Sequence, residues 1–366
     1  MSADVAIIGG GLLGSAIGYG LARAGLSVTV LDEGDNAFRA ARGNFGLVWV
    51  QGKGAYSPAY AAWTRRSATL WPTFAAELAE RTGVDLQLSQ PGGIELCLSE
   101  AAFEERRAKM EALAAQNTGF TYEMLGRNAV AREIPGIGPD VVGGSWSPHD
   151  GHCDPLRLLR ALQAGIVALG GQILPGARVT EITRDGEGFR LEAAATLRAE
   201  RVVLAAGLGN AALAPMIGLS QPVRPVKGQI LVTERMAPLL PMPTTHIRQT
   251  GDGTVMLGDS HEEVGHDIAS TTPVMREIAD RARRSLPALA RAKVVRSWGA
   301  LRVMTPDGLP IYDASPSQPG AYAVSCHSGV TLAAAHALDF AEAVAAGALP
   351  PALTPLSAER FDVQAA

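Results

Sequence analysis

Residues 4–34 limit what the rest of this chain can fold into. Residues 5–8 form an apolar run with no polar break, the pattern of a strand buried on both faces. Gly9, Gly11 and Gly14 follow at once in Gly-x-Gly-x-x-Gly spacing. Residues 15–24, rich in Ala and Leu, predict a helix stopped by Gly25. Residues 28–31 predict a second strand, and Asp32 stands at its end, 23 positions after Gly9. A strand, a glycine turn, a helix and a strand ending in an acid make a complete dinucleotide-binding unit. Gly9 permits the tight turn, Gly11 lets a pyrophosphate approach the backbone, and Gly14 lets helix and strand pack closely. The helix N-terminus offers free N–H groups and a partial positive charge to phosphates. Asp32 suits a ribose diol and would repel a 2′-phosphate, which disfavours NADP.

The 366 residues are enough for two domains. A net charge of −4, with no Lys/Arg cluster, argues against a nucleic-acid partner. Cys97, Cys153 and Cys326 are far apart and form no Cys-x-x-Cys, so neither zinc nor an iron–sulfur cluster is expected. They suit a reducing compartment, and the cytoplasm is the expected location. The first apolar run has only four residues before the glycines, too short for a signal peptide core or a membrane span.

Residues 34–54, dense in Gly, aromatic and apolar side chains, predict a loop that covers a cofactor, with 41–47 beside a flat ring. Residues 58–81 predict a helix in which Pro72 marks a kink or a second start. Strands are expected at 92–98, 172–174, 178–182, 189–194 and 201–204, and helices at 99–115 and 155–169, the last capped by Asp154. His149, Asp150, His152 and Asp154 resemble a metal cluster, but they sit on a Pro/Gly-broken loop without ligand spacing, so no metal is expected. Ala205, Ala206 and Gly207 form a second strand-to-glycine turn, which favours FAD over NAD. From residue 223 the pattern becomes antiparallel, with strands at 228–233, 245–249, 254–257 and 293–303. A helix at 273–286 carries Arg281, Arg283 and Arg284, expected to be solvated. A last strand at 322–325 leads into a helix at 330–346.

These segments together resemble the D-amino acid oxidase, glycine oxidase and sarcosine oxidase family of FAD enzymes. The more specific stretches are 299–310, with its Gly-x-x-Arg-x-x-x-x-Asp-Gly-x-Pro pattern, and the Gly329–Val330 turn into a helix. Residues 42–54 and 326–333 look closer still to the flavin subunits of opine oxidases, D-hydroxyproline dehydrogenases and hydrogen cyanide synthase, which work with other subunits. The resemblance implies an α/β fold: a Rossmann-like FAD-binding domain from 1–48, 145–222 and 300–366, and an antiparallel-sheet substrate domain from 49–144 and 223–299. It implies Gly9, Gly11, Leu12, Leu13, Gly14, Asp32 and Glu33 at the ADP half, with Val179 on the adenine and Ala206 and Gly207 beneath the dinucleotide. Arg42, Gly43, Asn44, Phe45, Gly46 and Leu47 would flank the isoalloxazine, and His327, Ser328, Gly329, Val330 and Thr331 would face its N1/C2=O edge.

Arg302 matches the family's arginine for the substrate carboxylate, and a guanidinium fork can fix such a group by two parallel bonds. The implied reaction is hydride transfer from the C–N carbon of a glycine, D-amino acid, D-proline or opine-type substrate to flavin N5, followed by imine hydrolysis. No side-chain base is required. His327 and His261 are candidates for shaping the pocket. Sarcosine oxidases carry a lysine near the flavin that helps oxygen react, and 254–268 has none. Lys53 and Lys227 are expected elsewhere, which leaves another electron acceptor open. Alternatives are a 2-hydroxy acid dehydrogenase, and a flavin-holding subunit working only in a hetero-oligomer; a homo-oligomer also remains open.

Overall fold

The computed structural model describes residues 2–34 and 40–365; the 35–39 portion of the expected cofactor loop lies outside them. β1 (Ser2–Ile8), α1 (Leu12–Arg23) and β2 (Val28–Asp32) form the opening unit where the glycine spacing placed it. β1 lies between two parallel neighbours, β2 and Leu197–Leu204. That central position explains why Val5, Ala6 and Ile7 are all fully buried. The sheet runs in the order Ile311–Ala314, Ala321–Ser325, Leu197–Leu204, β1, β2, Gln172–Pro175. Only the Ile311–Ala314 edge strand on this path is antiparallel. A hairpin, Glu181–Asp185 with Gly188–Glu192, pairs with Leu197–Leu204.

Parallel pairing brings the C-terminal ends of β1, Leu197–Leu204 and Ala321–Ser325 to one edge, the place where open α/β sheets bind ligands. The first turn there accepts only glycine at two points. Gly9 has φ +104°, and a Cβ would come within 2.5 Å of the Ala205 carbonyl oxygen. A Cβ at Gly14 would lie 1.9 Å from the Gly9 carbonyl oxygen.

The helix Pro58–Thr82 packs beside this sheet through Trp71, Phe74 and Leu78, all fully buried. It runs through Pro72 as one element. Pro72 cannot donate to the Ala68 carbonyl, and the Gln90 side-chain amide does so instead at 3.2 Å. A second, antiparallel sheet has the order Ile247–Gln249, Thr254–Leu257, Arg224–Arg235, Val294–Met304. Its core side packs against helix Thr272–Ser285 through Leu231, Val255, Ile278 and Ala282. A three-stranded sheet, Gly93–Cys97, Gly143–Ser147 and Glu123–Gly126, completes the larger elements. No helix among the described residues is long and apolar enough to cross a membrane.

Three expectations are corrected. The strand expected at 178–182 begins at Glu181, because residues before it run along a cavity instead of pairing. The helix expected at 330–346 begins at Ala333 and contains a π turn, His336–Phe340. Arg281 is not solvated: it donates to the Gly258 and Asp259 carbonyls, both at 2.7 Å.

The π turn places His336 in the core, fully buried, with Nε2 2.7 Å from the Tyr312 hydroxyl. Burial pushes its pKa down to about 3, so the folded imidazole stays neutral. An unfolded chain takes up a proton near pH 6.5, and the native state does so only near pH 3. The unfolded state therefore binds more protons across that window, and stability falls as pH falls through it. His336→Gln is expected to flatten the dependence of the denaturation midpoint on pH between about 6.5 and 4. An equally steep slope in the variant would refute this.

Candidate active site

The three turns at the C-terminal sheet edge open onto one cavity of about 880 Å³ that reaches under the antiparallel sheet. The first turn contributes Gly9, Gly11, Leu12 and Leu13, and β2 contributes Asp32 with the adjoining Glu33. Asp32 also holds the turn: Oδ2 accepts from Gly10 N at 2.7 Å and Oδ1 from Gly34 N at 2.8 Å. Glu33 is held on the wall by Arg178 at 3.4 Å. Gly11 has φ −73°, and a Cβ there would meet no atom within 4 Å. That empty volume over the start of α1 is what a pyrophosphate needs.

Val179, Ala206 and Gly207 continue the wall. Asn210, fully buried, shapes the second turn: its Oδ1 accepts from Ala206 N at 2.9 Å. Its Nδ2 donates to Val324 O and Ser325 Oγ, also at 2.9 Å. Gly43, Asn44, Phe45 and Leu47 face His327, Ser328, Gly329, Val330 and Thr331 around the same cavity. Thr331 ties the two segments together, its Oγ1 donating to Leu47 O at 3.1 Å and accepting from Trp49 N at 3.2 Å. The helix Pro58–Thr82 supports this junction from behind. Tyr60 meets Ser328 Oγ at 2.7 Å, and Ser67 and Trp71 donate to Thr331 O at 2.7 and 3.0 Å.

Gly14, Arg42 and Gly46 do not line the cavity. Gly14 acts in helix–strand packing. Arg42 is exposed at the end of the short turn Ala40–Gly43, which buries Ala41 instead. Gly46 is buried against Cys153 O and the Arg248 guanidinium. His261 is exposed and off the wall, which His266 reaches in its place.

Arg302 enters from the strand Val294–Met304. Its guanidinium lies over Gly228, where a Cβ would come within 2.4 Å of it. Nη1 donates to Ser260 O at 2.9 Å and Nη2 to Asp259 Oδ2 at 2.5 Å. Three of its five donors stay available. Burial would raise the Asp259 carboxyl, but His246, Arg302 and Arg281 outweigh it and bring the pKa down to about 2.

Lys53, from the loop expected to cover the cofactor and outside 254–268, is on the cavity wall: its Nζ lies 2.8 Å from His327 Nε2. Burial first, then the Lys109 and Arg302 charges, push its pKa down to about 8. Burial, with Lys53 and Arg302 nearby, pushes His327 well below its ordinary range, so the imidazole is neutral. A protonated Lys53 can only donate, which leaves the ring proton on Nδ1.

The four residues of the metal-like loop have separate partners. Asp154 caps a helix through Leu156 N and Arg157 N, His152 meets Arg248 at 3.2 Å, His149 meets Thr121, and Asp150 accepts from Val50 N. Among the described residues no group of three or more potential ligands could hold a metal.

The family model described as FAD dependent oxidoreductase matches residues 4–343. This chain belongs to that family. The FAD-dependent oxidoreductase is 45% identical to an opine oxidase subunit of Rhizobium meliloti and 46% to an opine oxidase subunit of Agrobacterium tumefaciens (strain Ach5), over 99% of each chain in both cases. The crystal structure of glycine oxidase from Geobacillus kaustophilus matches it with a TM-score of 0.88 at 27% identity, covering 97% of this chain and 98% of that one. Its cofactor is FAD, and the cavity fits it in the empty volume at Gly11 and in the acids at the end of β2.

Sequence reasoning missed the roles of Lys53, Asp259, Asn210 and Arg248. Arg248 is 3% exposed and donates to the Phe45 carbonyl, holding the 44–47 segment in place. An Arg on an alternating strand carries no local mark of such a role.

Proposed function

We propose that this FAD-dependent oxidoreductase oxidises the C–N bond of an amino acid or N-substituted amino acid. The observation that carries this reading is Arg302: a guanidinium held by Asp259 and Ser260 O, with donors to spare, on the same cavity as the dinucleotide turns. FAD, when bound, supplies the acceptor for the hydrogen and electron pair leaving the substrate carbon.

The chain's own residues do the rest. Gly9, Gly11, Leu12, Leu13, Asp32 and Glu33 hold the ADP half, Val179 the adenine, and Ala206 and Gly207 the turn beneath. Residues 43–47 and 327–331 enclose the redox ring. Arg302 orients the substrate by its carboxylate, and orientation is the larger part of this catalysis. Water then hydrolyses the imine product to an oxo acid and an amine. Residues 1–48, 145–222 and 300–366 serve the cofactor, and 49–144 and 223–299 serve the substrate. The relatives at 45% and 46% identity are both named as subunits, which supports a second chain in the working enzyme.

The test is anaerobic titration of the FAD-loaded protein with glycine, sarcosine, D-proline, hydroxyproline and opine-type compounds. Bleaching of the flavin band by one or more of these is expected. A flavin reduced by 2-hydroxy acids and by none of the amines would overturn the reading.

A further inference from the structure

Arg248 carries a buried positive charge with no carboxylate against it among the described residues. It stands on the strand Ile247–Gln249 and is 3% exposed. All three sides of its guanidinium are taken by neutral groups. Nε donates to the Phe45 carbonyl, Nη1 lies 3.2 Å from His152 Nδ1, and Nη2 lies 3.0 Å from Met256 Sδ. Burial, with the Arg248 charge adding to it, pushes the His152 pKa down to about 4, so that ring is neutral and its Nδ1 accepts. Asp154 acts on Arg248 from farther off, and its carboxylate is committed to Leu156 N and Arg157 N at a helix cap. A guanidinium keeps its charge inside a protein.

Four segments converge on this group. Arg248 and Met256 are direct partners in the antiparallel register, so their side chains share one face of the sheet. His152 pairs with Leu47. Gly46, at φ +91°, leaves the space beside the guanidinium, where a Cβ would come within 2.9 Å of Nη2. The Phe45 ring, whose residue lines the cavity, has its centroid 6.0 Å from the guanidinium carbon. The charge therefore stands one residue behind the 43–47 wall. Holding that wall does not require a charge. A glutamine at this position has Nε2 as many bonds from the backbone as Arg248 has Nε, and it would donate to the Phe45 carbonyl equally well. A buried charge without a counter-ion costs far more than a neutral donor. What the guanidinium adds is a fixed positive potential on the cavity, from a place that water does not screen.

We infer that Arg248 raises the reduction potential of the bound flavin. This rests on the reading that 43–47 enclose the redox ring. Two electrons and one proton enter the ring on reduction, which leaves one net negative charge on it. A fixed positive charge behind the wall favours that reduced form over the neutral oxidised one. A unit charge about 10 Å away, at the effective dielectric of a protein site, changes such an equilibrium roughly tenfold.

Equilibration of the FAD-loaded protein with a reference dye during slow reduction reads the two-electron potential. No substrate is present, so failure of the C–N oxidation reading would leave the result untouched. Arg248→Gln keeps a donor for the Phe45 carbonyl and drops the charge. It is expected to lower the reduction equilibrium constant roughly tenfold, a shift of about 30 mV to lower potential. Met256→Glu neutralises the charge with Arg248 still in place, by setting a carboxylate against Nη2, and should shift the potential in the same direction. Met256→Gln, its uncharged counterpart, should keep the wild-type value. A wild-type potential in either Arg248→Gln or Met256→Glu overturns the proposal. An equal shift in Met256→Gln overturns it too, because the effect would then be one of packing. Phe45→Ala separates this from the underlying reading: if the visible flavin band does not move in that variant, the ring does not lie against 43–47, whatever Arg248 does.

Discussion

Arg302→Ala is expected to lower the second-order rate of flavin reduction by every carboxylate substrate by at least about 100-fold, the worth of two parallel charge-assisted bonds. FAD content should be unchanged, because no segment assigned to the ADP half depends on this side chain. Two effects combine. The substrate loses the fork that points its reacting carbon, and Asp259 loses its guanidinium partner, keeping only His246 and Arg281 nearby. A less fully neutralised carboxylate in the cavity would then repel the substrate carboxylate as well. Arg302→Lys keeps the charge without the planar fork and should recover only part of the rate. Rapid-mixing reduction with the substrate that bleaches the wild type decides the matter. If Arg302→Ala is reduced as fast as wild type, the guanidinium does not orient the substrate.

Gly11→Val should abolish FAD binding while leaving the fold intact. Gly11 has ordinary extended backbone angles, φ −73° and ψ −173°, so valine is not strained there. Its Cβ would meet no protein atom within 4 Å. The added methyl groups project into the volume over the start of α1. The purified variant should be colourless, with a thermal midpoint close to that of the wild-type apoprotein. Gly14→Val, in contrast, should fail to fold, because its Cβ would overlap the Gly9 carbonyl oxygen at 1.9 Å. A yellow Gly11→Val protein would show that the cofactor phosphates do not pass this turn.

The opening unit is legible in the sequence as β1, α1 and β2 because its determinants are local. A positive φ at residue 9 and a cap or stop for each element all lie within a few residues of where they act. Two helix N-caps are legible for the same reason: Ser99 accepts from Ala102 N at 3.2 Å, and Asp154 caps the helix Pro155–Ala168. The strand Thr254–Leu257 follows a turn signal beside an alternating pattern. Pro72 misleads because its missing donor is replaced by Gln90, a partner 22 positions away from Ala68.

The sequence by itself determined that this chain opens with a dinucleotide-binding unit of strand, glycine turn, helix and strand, and it marked Arg302 as the candidate for a substrate carboxylate. The tertiary structure alone decided what surrounds that arginine. Asp259 lies 43 positions from Arg302, and Lys53 lies 274 positions from His327. The residues adjoining Lys53 mark a loop that covers a cofactor, but nothing in them marks the lysine as the one that meets His327. Its location follows from buried polar anchors of Val50 and Gln51 on Asp150, Arg106 and Gly93, which act through space, whereas sequence rules act through neighbouring backbone angles. The charge balance of the cavity is a sum over segments that only folding brings together.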